Sequence, residues 1–101
     1  MDRTSLDEAD QWFDVLLTAD GAQAAAMTLA PGQSTGGPDN RHRESDQWLF
    51  VASGTGTATV EGEAVDLASG DLLRIEAGEA HEIVAGDEPL ETLNLYVPPE
   101  Y

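Results

Sequence analysis

The chain has 101 residues, a length that suits one compact domain. It contains no cysteine, so disulfides and thiolate metal sites are excluded. Its 20 acidic residues face four arginines and no lysine, and the formal charge of −16 argues against nucleic acid or an anionic membrane surface as a partner.

The same charge balance indicates the ionic environment of the protein. A strongly acidic surface without lysine resembles the surfaces of proteins from salt-loving microbes, where concentrated cations screen the repulsion between like charges. The alternative is an acidic protein in an ordinary cytoplasm. No apolar run is long enough to span a bilayer, and the first residues lack a signal-peptide pattern, so a soluble cytoplasmic protein is expected.

Turn signals divide the chain into short segments. Residues 1–11 are mostly polar and acidic and are predicted to form an N-terminal arm before a single domain over residues 12–101. Within that domain the signals recur at intervals that fit strands and are too short for most helices. They are Asp20-Gly21, Pro31-Gly32, Gly36-Gly37-Pro38, Gly54, Gly56, Glu61-Gly62, Ser69-Gly70-Asp71, Ala77-Gly78 and Gly86-Asp87.

The segments between these turns predict eight strands. In chain order they are Trp12–Thr18, Ala22–Ala30, Gln47–Ser53, Thr57–Val60, Glu63–Leu67, Asp71–Ile75, His81–Ala85 and Leu90–Val97. Alanine content alone would allow a helix over residues 22–30, but tight turns bracket that segment. The whole pattern predicts an antiparallel all-β sandwich or barrel.

The third predicted strand is apolar on both faces. Gln47, Leu49 and Val51 share one side, and Trp48 and Phe50 lie on the other. One face is predicted to line the barrel. The other needs a cover, either the aromatic pair at residues 12 and 13 or a second subunit, and the second option predicts a homodimer.

Both histidines of the chain stand at the edges of predicted strands, in two spaced blocks. The first block runs from Asn40 through His42 and Gln47 to Gly54, and the second runs from Gly70 through Gly78 to His81. Imidazole is the commonest protein ligand for transition metals, so this placement predicts one metal pocket. Glycines 54, 70 and 78 are interpreted as turn residues that need a positive φ.

These blocks resemble the two motifs of the cupin superfamily, whose small members are single β-barrels of the double-stranded β-helix or jelly-roll type. His42 matches the second histidine of the first motif and Gln47 its glutamate, while Gly70, Gly78 and His81 match the second motif in register. The ending Asn94–Tyr101 is similar to that of one group of short cupins. The resemblance runs from about residue 13 to residue 101 and implies a cupin barrel over the whole domain.

The resemblance also implies a divalent metal ion, of a kind that the sequence does not select among Zn, Ni, Co, Fe and Mn. The family's first histidine is Asn40 here and its glutamate is Gln47. The predicted ligands are His42, Gln47 and His81, and Asn40 is a further candidate. Asp46 is a rival that would complete a site of two histidines and one carboxylate, although strand alternation directs it away from Leu49.

Three classes of function are compatible with the sequence. The first is a metal-dependent enzyme, an oxygenase, isomerase or cyclase, which acts on a small molecule held between barrel walls such as Leu49, Val51 and Ile83. The second is a small-molecule binder or sensor that uses the same pocket without catalysis, with or without a metal. The third is a barrel whose site has decayed and which serves only assembly.

Overall fold

A computed structural model describes residues 1–37 and 39–101 of the chain. One position of the predicted turn at residues 36–38, Pro38, lies outside the described residues. The described part contains all eight predicted strands, with every boundary within two residues of its predicted place. They are β1 Phe13–Ala19, β2 Ala22–Leu29, β3 Asp46–Ser53, β4 Thr55–Val60, β5 Glu63–Ala68, β6 Leu72–Ile75, β7 His81–Ala85 and β8 Leu90–Val97.

The strands form two antiparallel sheets. The five-stranded sheet has the order β1-β2-β8-β3-β6, and the three-stranded sheet has the order β5-β4-β7. Their inner faces share one hydrophobic core, so the chain is an all-β double-stranded β-helix, as predicted. The segment before β1 contains a single 3-10 turn, Leu6–Glu8, which the Ser5 side chain caps.

The interior of the barrel changes character along its length. On β3 the inward positions run from Gln47 through Leu49 to Val51, and all three are buried. On β8, which pairs with β3, they run from Tyr96 through polar residues 94 and 92 to Leu90. The two strands therefore give the barrel one apolar end, which forms the core, and one polar end.

The outer face of the five-stranded sheet carries apolar side chains that no other described residue covers. Trp48 and Phe50 are 37% and 41% exposed. Trp12 and Phe13 do not cover them, because both line a cavity at the polar end of the barrel. Further exposed apolar side chains of this face are Leu72, Leu95 and Val97.

The three motif glycines adopt the backbone conformation that was predicted for them. Gly54, Gly70 and Gly78 have φ values of +89°, +95° and +87°, a region that L side chains rarely adopt. Gly54 has a second constraint, because a Cβ there would overlap the carbonyl oxygen of Pro89. Among the described residues, no helix is both long and apolar enough to cross a membrane.

Candidate functional site

The polar end of the barrel encloses a cavity of about 400 Å³. This volume is within the range of small-molecule sites. The lining combines aromatic side chains with both histidines of the chain: Trp12, Phe13, Met27, Thr35, Asn40, Arg41, His42, Gln47, His81, Ile83, Tyr96, Glu100 and Tyr101. Ile83 lines the cavity as predicted, but Leu49 and Val51 belong to the core beyond it, because the inward side chains nearest the mouth are polar ones.

His42 lies in the loop that leads into β3, and each of its ring nitrogens faces an oxygen atom. Nδ1 is 2.7 Å from Oε1 of Glu100, and Nε2 is 3.1 Å from Oε1 of Gln47. A carboxylate accepts the Nδ1 hydrogen and thereby fixes the orientation of the ring. Glu100 is separated from His42 by 58 residues in sequence, and no spacing pattern in the sequence indicates this contact.

His81 is the first residue of β7 and belongs to the other sheet. Its Nδ1 is 3.1 Å from the carbonyl oxygen of Glu79, which can only accept, so Nδ1 carries the hydrogen and Nε2 keeps the lone pair of a neutral ring. Burial lowers the pKa of His81, and the neighbouring His42 lowers it further. The neutral form is the one that binds metals.

Backbone hydrogen bonds bring the two histidines together across the sheets. The amide of Gly78 donates to the carbonyl of His42 at 2.7 Å, and the amide of His81 donates to the carbonyl of Asn40 at 2.8 Å. As a result the two imidazole centroids are 5.1 Å apart. The sequence blocks that were predicted to form one pocket thus lie side by side.

The remaining candidate ligands occupy different positions. Gln47 is buried at the base of the cavity, and its Nε2 donates to Oδ1 of Asn94. Asn40 lines the cavity, but its side-chain nitrogen donates to the carbonyl of Thr35, so its side chain holds the loop.

Asp46 lies on the outer face of β3 and is directed away from the cavity. Its Oδ2 accepts from Nη2 of Arg74 at 2.8 Å, and its Oδ1 accepts from the amide of Ala77 at 2.9 Å. The hydrogen bond with Arg74 lowers the pKa of Asp46. Strand alternation therefore gives the correct orientation for Asp46, and the rival set of ligands is not assembled.

His42, Gln47 and His81 offer a weak set of donors for a divalent ion, and the spacing of the first two is compatible with a shared ion. Adjacent ligands on one ion, with bonds of about 2.0 to 2.2 Å, lie roughly 2.8 to 3.6 Å apart, and the 3.1 Å between His42 Nε2 and Gln47 Oε1 is within this range. All three donors are neutral. Within residues 1–37 and 39–101 no group of three His, Asp or Glu side chains is arranged to hold a metal.

The last residues of the chain form one wall of the cavity. Gln23, a buried residue on β2, accepts from the amide of Tyr101 at 2.8 Å and donates to its carbonyl oxygen at 2.7 Å. The Tyr101 ring contacts Phe13 and Tyr96 at centroid distances of 4.9 and 5.1 Å. Burial raises the pKa of both tyrosines, so both hydroxyls stay protonated and can donate hydrogen bonds at neutral pH.

Comparison with known proteins identifies the fold and one family. The family model described as "Cupin domain" matches residues 25–96. No curated protein matches the chain in sequence.

Solved structures with this fold include three from bacteria. A protein from Bacillus halodurans is 23% identical, with a TM-score of 0.86 over 95% of this chain and 76% of that one. A cupin protein from Bacteroides fragilis is 27% identical, with a TM-score of 0.78 over 97% of this chain and 86% of that one. A predicted oxalate decarboxylase from Thermotoga maritima is 28% identical, with a TM-score of 0.69 over 76% of this chain and 66% of that one.

Proposed function

This chain belongs to the cupin domain family, and from that premise we propose that it is a small barrel protein that binds a divalent metal ion and acts on a small organic molecule. The proposed ligands are His42 Nε2, His81 Nε2 and Gln47 Oε1. The molecule acted upon would occupy the adjoining cavity of about 400 Å³.

One observation carries the proposal: each imidazole has its Nδ1 hydrogen bonded to an oxygen outside the ligand set. Glu100 accepts from His42, and the carbonyl of Glu79 accepts from His81. Histidines that bind metals characteristically donate their second ring hydrogen to a carboxylate or a carbonyl, which fixes the tautomer and orients Nε2. The structure provides both kinds of partner, one to each histidine.

The chain's own groups define what this site could do. A divalent ion held by neutral donors keeps its full charge and supplies Lewis acidity toward an oxygen atom of a bound molecule. Glu100 holds the proton at His42 Nδ1, and Gln47 presents an uncharged oxygen from the base of the cavity. The rings of Phe13, Tyr96 and Tyr101 contact one another and give the cavity an aromatic wall. Oxygenase, isomerase and cyclase reactions on a small molecule are compatible with these roles.

Elemental analysis of protein purified without a polyhistidine tag, before and after reconstitution with Zn²⁺, Co²⁺ and Fe²⁺, tests metal binding. We expect about one ion per chain in the wild type. His81→Ala should lose it while keeping a cooperative melting transition. Asp46→Asn should keep it, because Asp46 lies on the outer face.

Two results would contradict the proposal. One is a wild type that takes up no stoichiometric metal after reconstitution. The other is an Asp46→Asn variant that loses as much metal as His81→Ala.

A second candidate function is a binder or sensor that uses the cavity without a metal. The observation that favours it is the 3.1 Å contact between His42 Nε2 and Gln47 Oε1, because a hydrogen on Nε2 would make this contact a hydrogen bond and occupy both atoms, leaving neither free for an ion. Thermal-shift measurements with small carboxylic acids, oxalate first in view of the Thermotoga maritima relative, would detect ligands of either candidate. Stabilisation of metal-free protein without turnover would favour the sensor, and conversion that requires the ion would favour the enzyme.

We further propose that two copies of the chain associate through the outer face of the five-stranded sheet. Trp48, Phe50 and Leu95 give this face an exposed apolar surface, and its arginine, Arg74, is paired with Asp46. Sedimentation velocity at high salt should detect a dimer in the wild type and a monomer in Trp48→Ser with Phe50→Ser. A monomeric wild type across the concentration range would contradict this assembly.

A further inference from the structure

A row of buried polar side chains leads from the core to the base of the cavity. Thr92 and Asn94 are adjacent inward positions of β8, and both are fully buried. Neither lines the cavity. A buried polar group is costly unless it is hydrogen-bonded, so such a row needs a complete set of partners.

The main-chain carbonyl of Met27 determines which group donates and which accepts in each hydrogen bond of this row. Thr92 Oγ1 is 2.8 Å from the carbonyl oxygen of Met27, and because a carbonyl only accepts, the hydroxyl must donate its single hydrogen there. The hydroxyl oxygen is then left as an acceptor. The Nδ2 group of Asn94 donates to it at 2.9 Å.

This direction is passed on to the glutamine beside the cavity. With its nitrogen directed to Thr92, Asn94 presents Oδ1 to the other side, where it accepts from Gln47 Nε2 at 2.9 Å. Gln47 must therefore present Oε1 on its remaining side, toward His42 Nε2. Amide nitrogen and oxygen are almost identical in shape, so the surrounding hydrogen bonds decide which of them faces the cavity.

We propose that Thr92 and Asn94 are positioning residues, which fix the Gln47 amide so that its oxygen and not its NH₂ group faces the two histidines. An amide oxygen can bind a cation, whereas an amide NH₂ has only hydrogens to present. The inference rests on the proposed role of Gln47 as an oxygen ligand. It identifies a control over that ligand from residues that do not contact the ion.

The central variant is Thr92→Val, which keeps the shape of the side chain and removes the hydroxyl. Without that acceptor, no hydrogen bond fixes the orientation of the Asn94 side-chain amide, and Gln47 can turn its NH₂ group toward His42. We expect the affinity for Co²⁺, followed by visible absorption, to fall at least tenfold, with a change in band shape that reflects a lost oxygen donor. Thr92→Ser, the matched control, keeps the hydroxyl and should stay within about threefold of the wild type.

A second measurement needs neither a variant nor a metal. Neutron diffraction from the deuterated, metal-free wild type distinguishes the ND₂ group of Gln47 from its oxygen. We expect the ND₂ group to face Asn94. An oxygen atom facing Asn94 would overturn the inference, and so would equal Co²⁺ affinities in Thr92→Val and Thr92→Ser.

The two measurements separate this inference from the proposed function. A wild type that binds no Co²⁺ removes the metal-dependent function, and the neutron map then decides the orientation of Gln47 by itself. If Thr92→Val does not fold, the same map still decides.

Discussion

Replacing Glu100 by glutamine tests whether the end of the chain supports the proposed metal site. The variant keeps the size of the side chain and an oxygen that can accept from His42 Nδ1, but it removes the negative charge from a contact of 2.7 Å. Hydrogen bonds to a charged acceptor are about twice as strong as neutral ones. The change should therefore weaken the binding of an ion by the Nε2 lone pair of His42.

The structure sets the expected size of the effect. Loss of a residue that orients a metal-binding histidine typically costs about 10- to 100-fold in affinity. The side chains of His42 and Glu100 are 16% and 25% exposed, so water screens part of the interaction. We therefore expect the lower end of that range, about tenfold or 1.4 kcal/mol.

Competition between the protein and a chromophoric Zn²⁺ chelator, at fixed pH and ionic strength, measures this difference. The control is Glu88→Gln, which makes the same change of charge at an exposed position away from the cavity. It is needed because every acid removed from a chain of charge −16 weakens the general attraction of cations. Equal losses in the two variants would refute a specific role for Glu100.

Three further outcomes are expected. Gln47→Glu should raise Zn²⁺ affinity at least tenfold, because it supplies a charged ligand, and unchanged affinity in the chelator assay would contradict this. The same variant should lower the melting temperature of the metal-free protein, because a buried carboxylate would face the oxygen of Asn94. In urea unfolding, Gly54→Ala should lower the free energy of unfolding by about 3 kcal/mol or more, and Gly70→Ala by about 1 to 2 kcal/mol. Both glycines have positive φ, but only Gly54 lies against Pro89. Equal losses of unfolding free energy would count against that contact. The melting temperature should rise between low and molar KCl if self-repulsion destabilises the protein, and a constant or falling value would exclude adaptation to salt.

Much of the fold could be predicted from the sequence because its local signals agree with one another. Glycines with positive φ, such as Gly54 and Gly70, stand at the turns, and the alternation in β3 assigns Gln47 to the inside and Asp46 to the outside. The same alternation in β8 places Thr92 and Asn94 on the inner face, a signal that sequence analysis could have used.

Other parts of the site depend on contacts that no local pattern encodes. Glu100 reaches His42 because the buried side chain of Gln23 holds the main chain of the last residues beside β2. The depth of the cavity is a similar case. Leu49 lies in the core because Gln47 and the histidines fill the end of the barrel above it, and this depends on how the two sheets pack.

The two main-chain hydrogen bonds between the His42 loop and the segment entering β7 have a consequence for dynamics. They join the two sheets at one end of the barrel, where His42 and Gln47 come from one side and His81 from the other. An ion shared by these residues would add its binding energy to the closure of that end. The amide hydrogens of Gly78 and His81 would then exchange with solvent in step with release of the ion, so hydrogen exchange at these two positions would report the parting of the sheets.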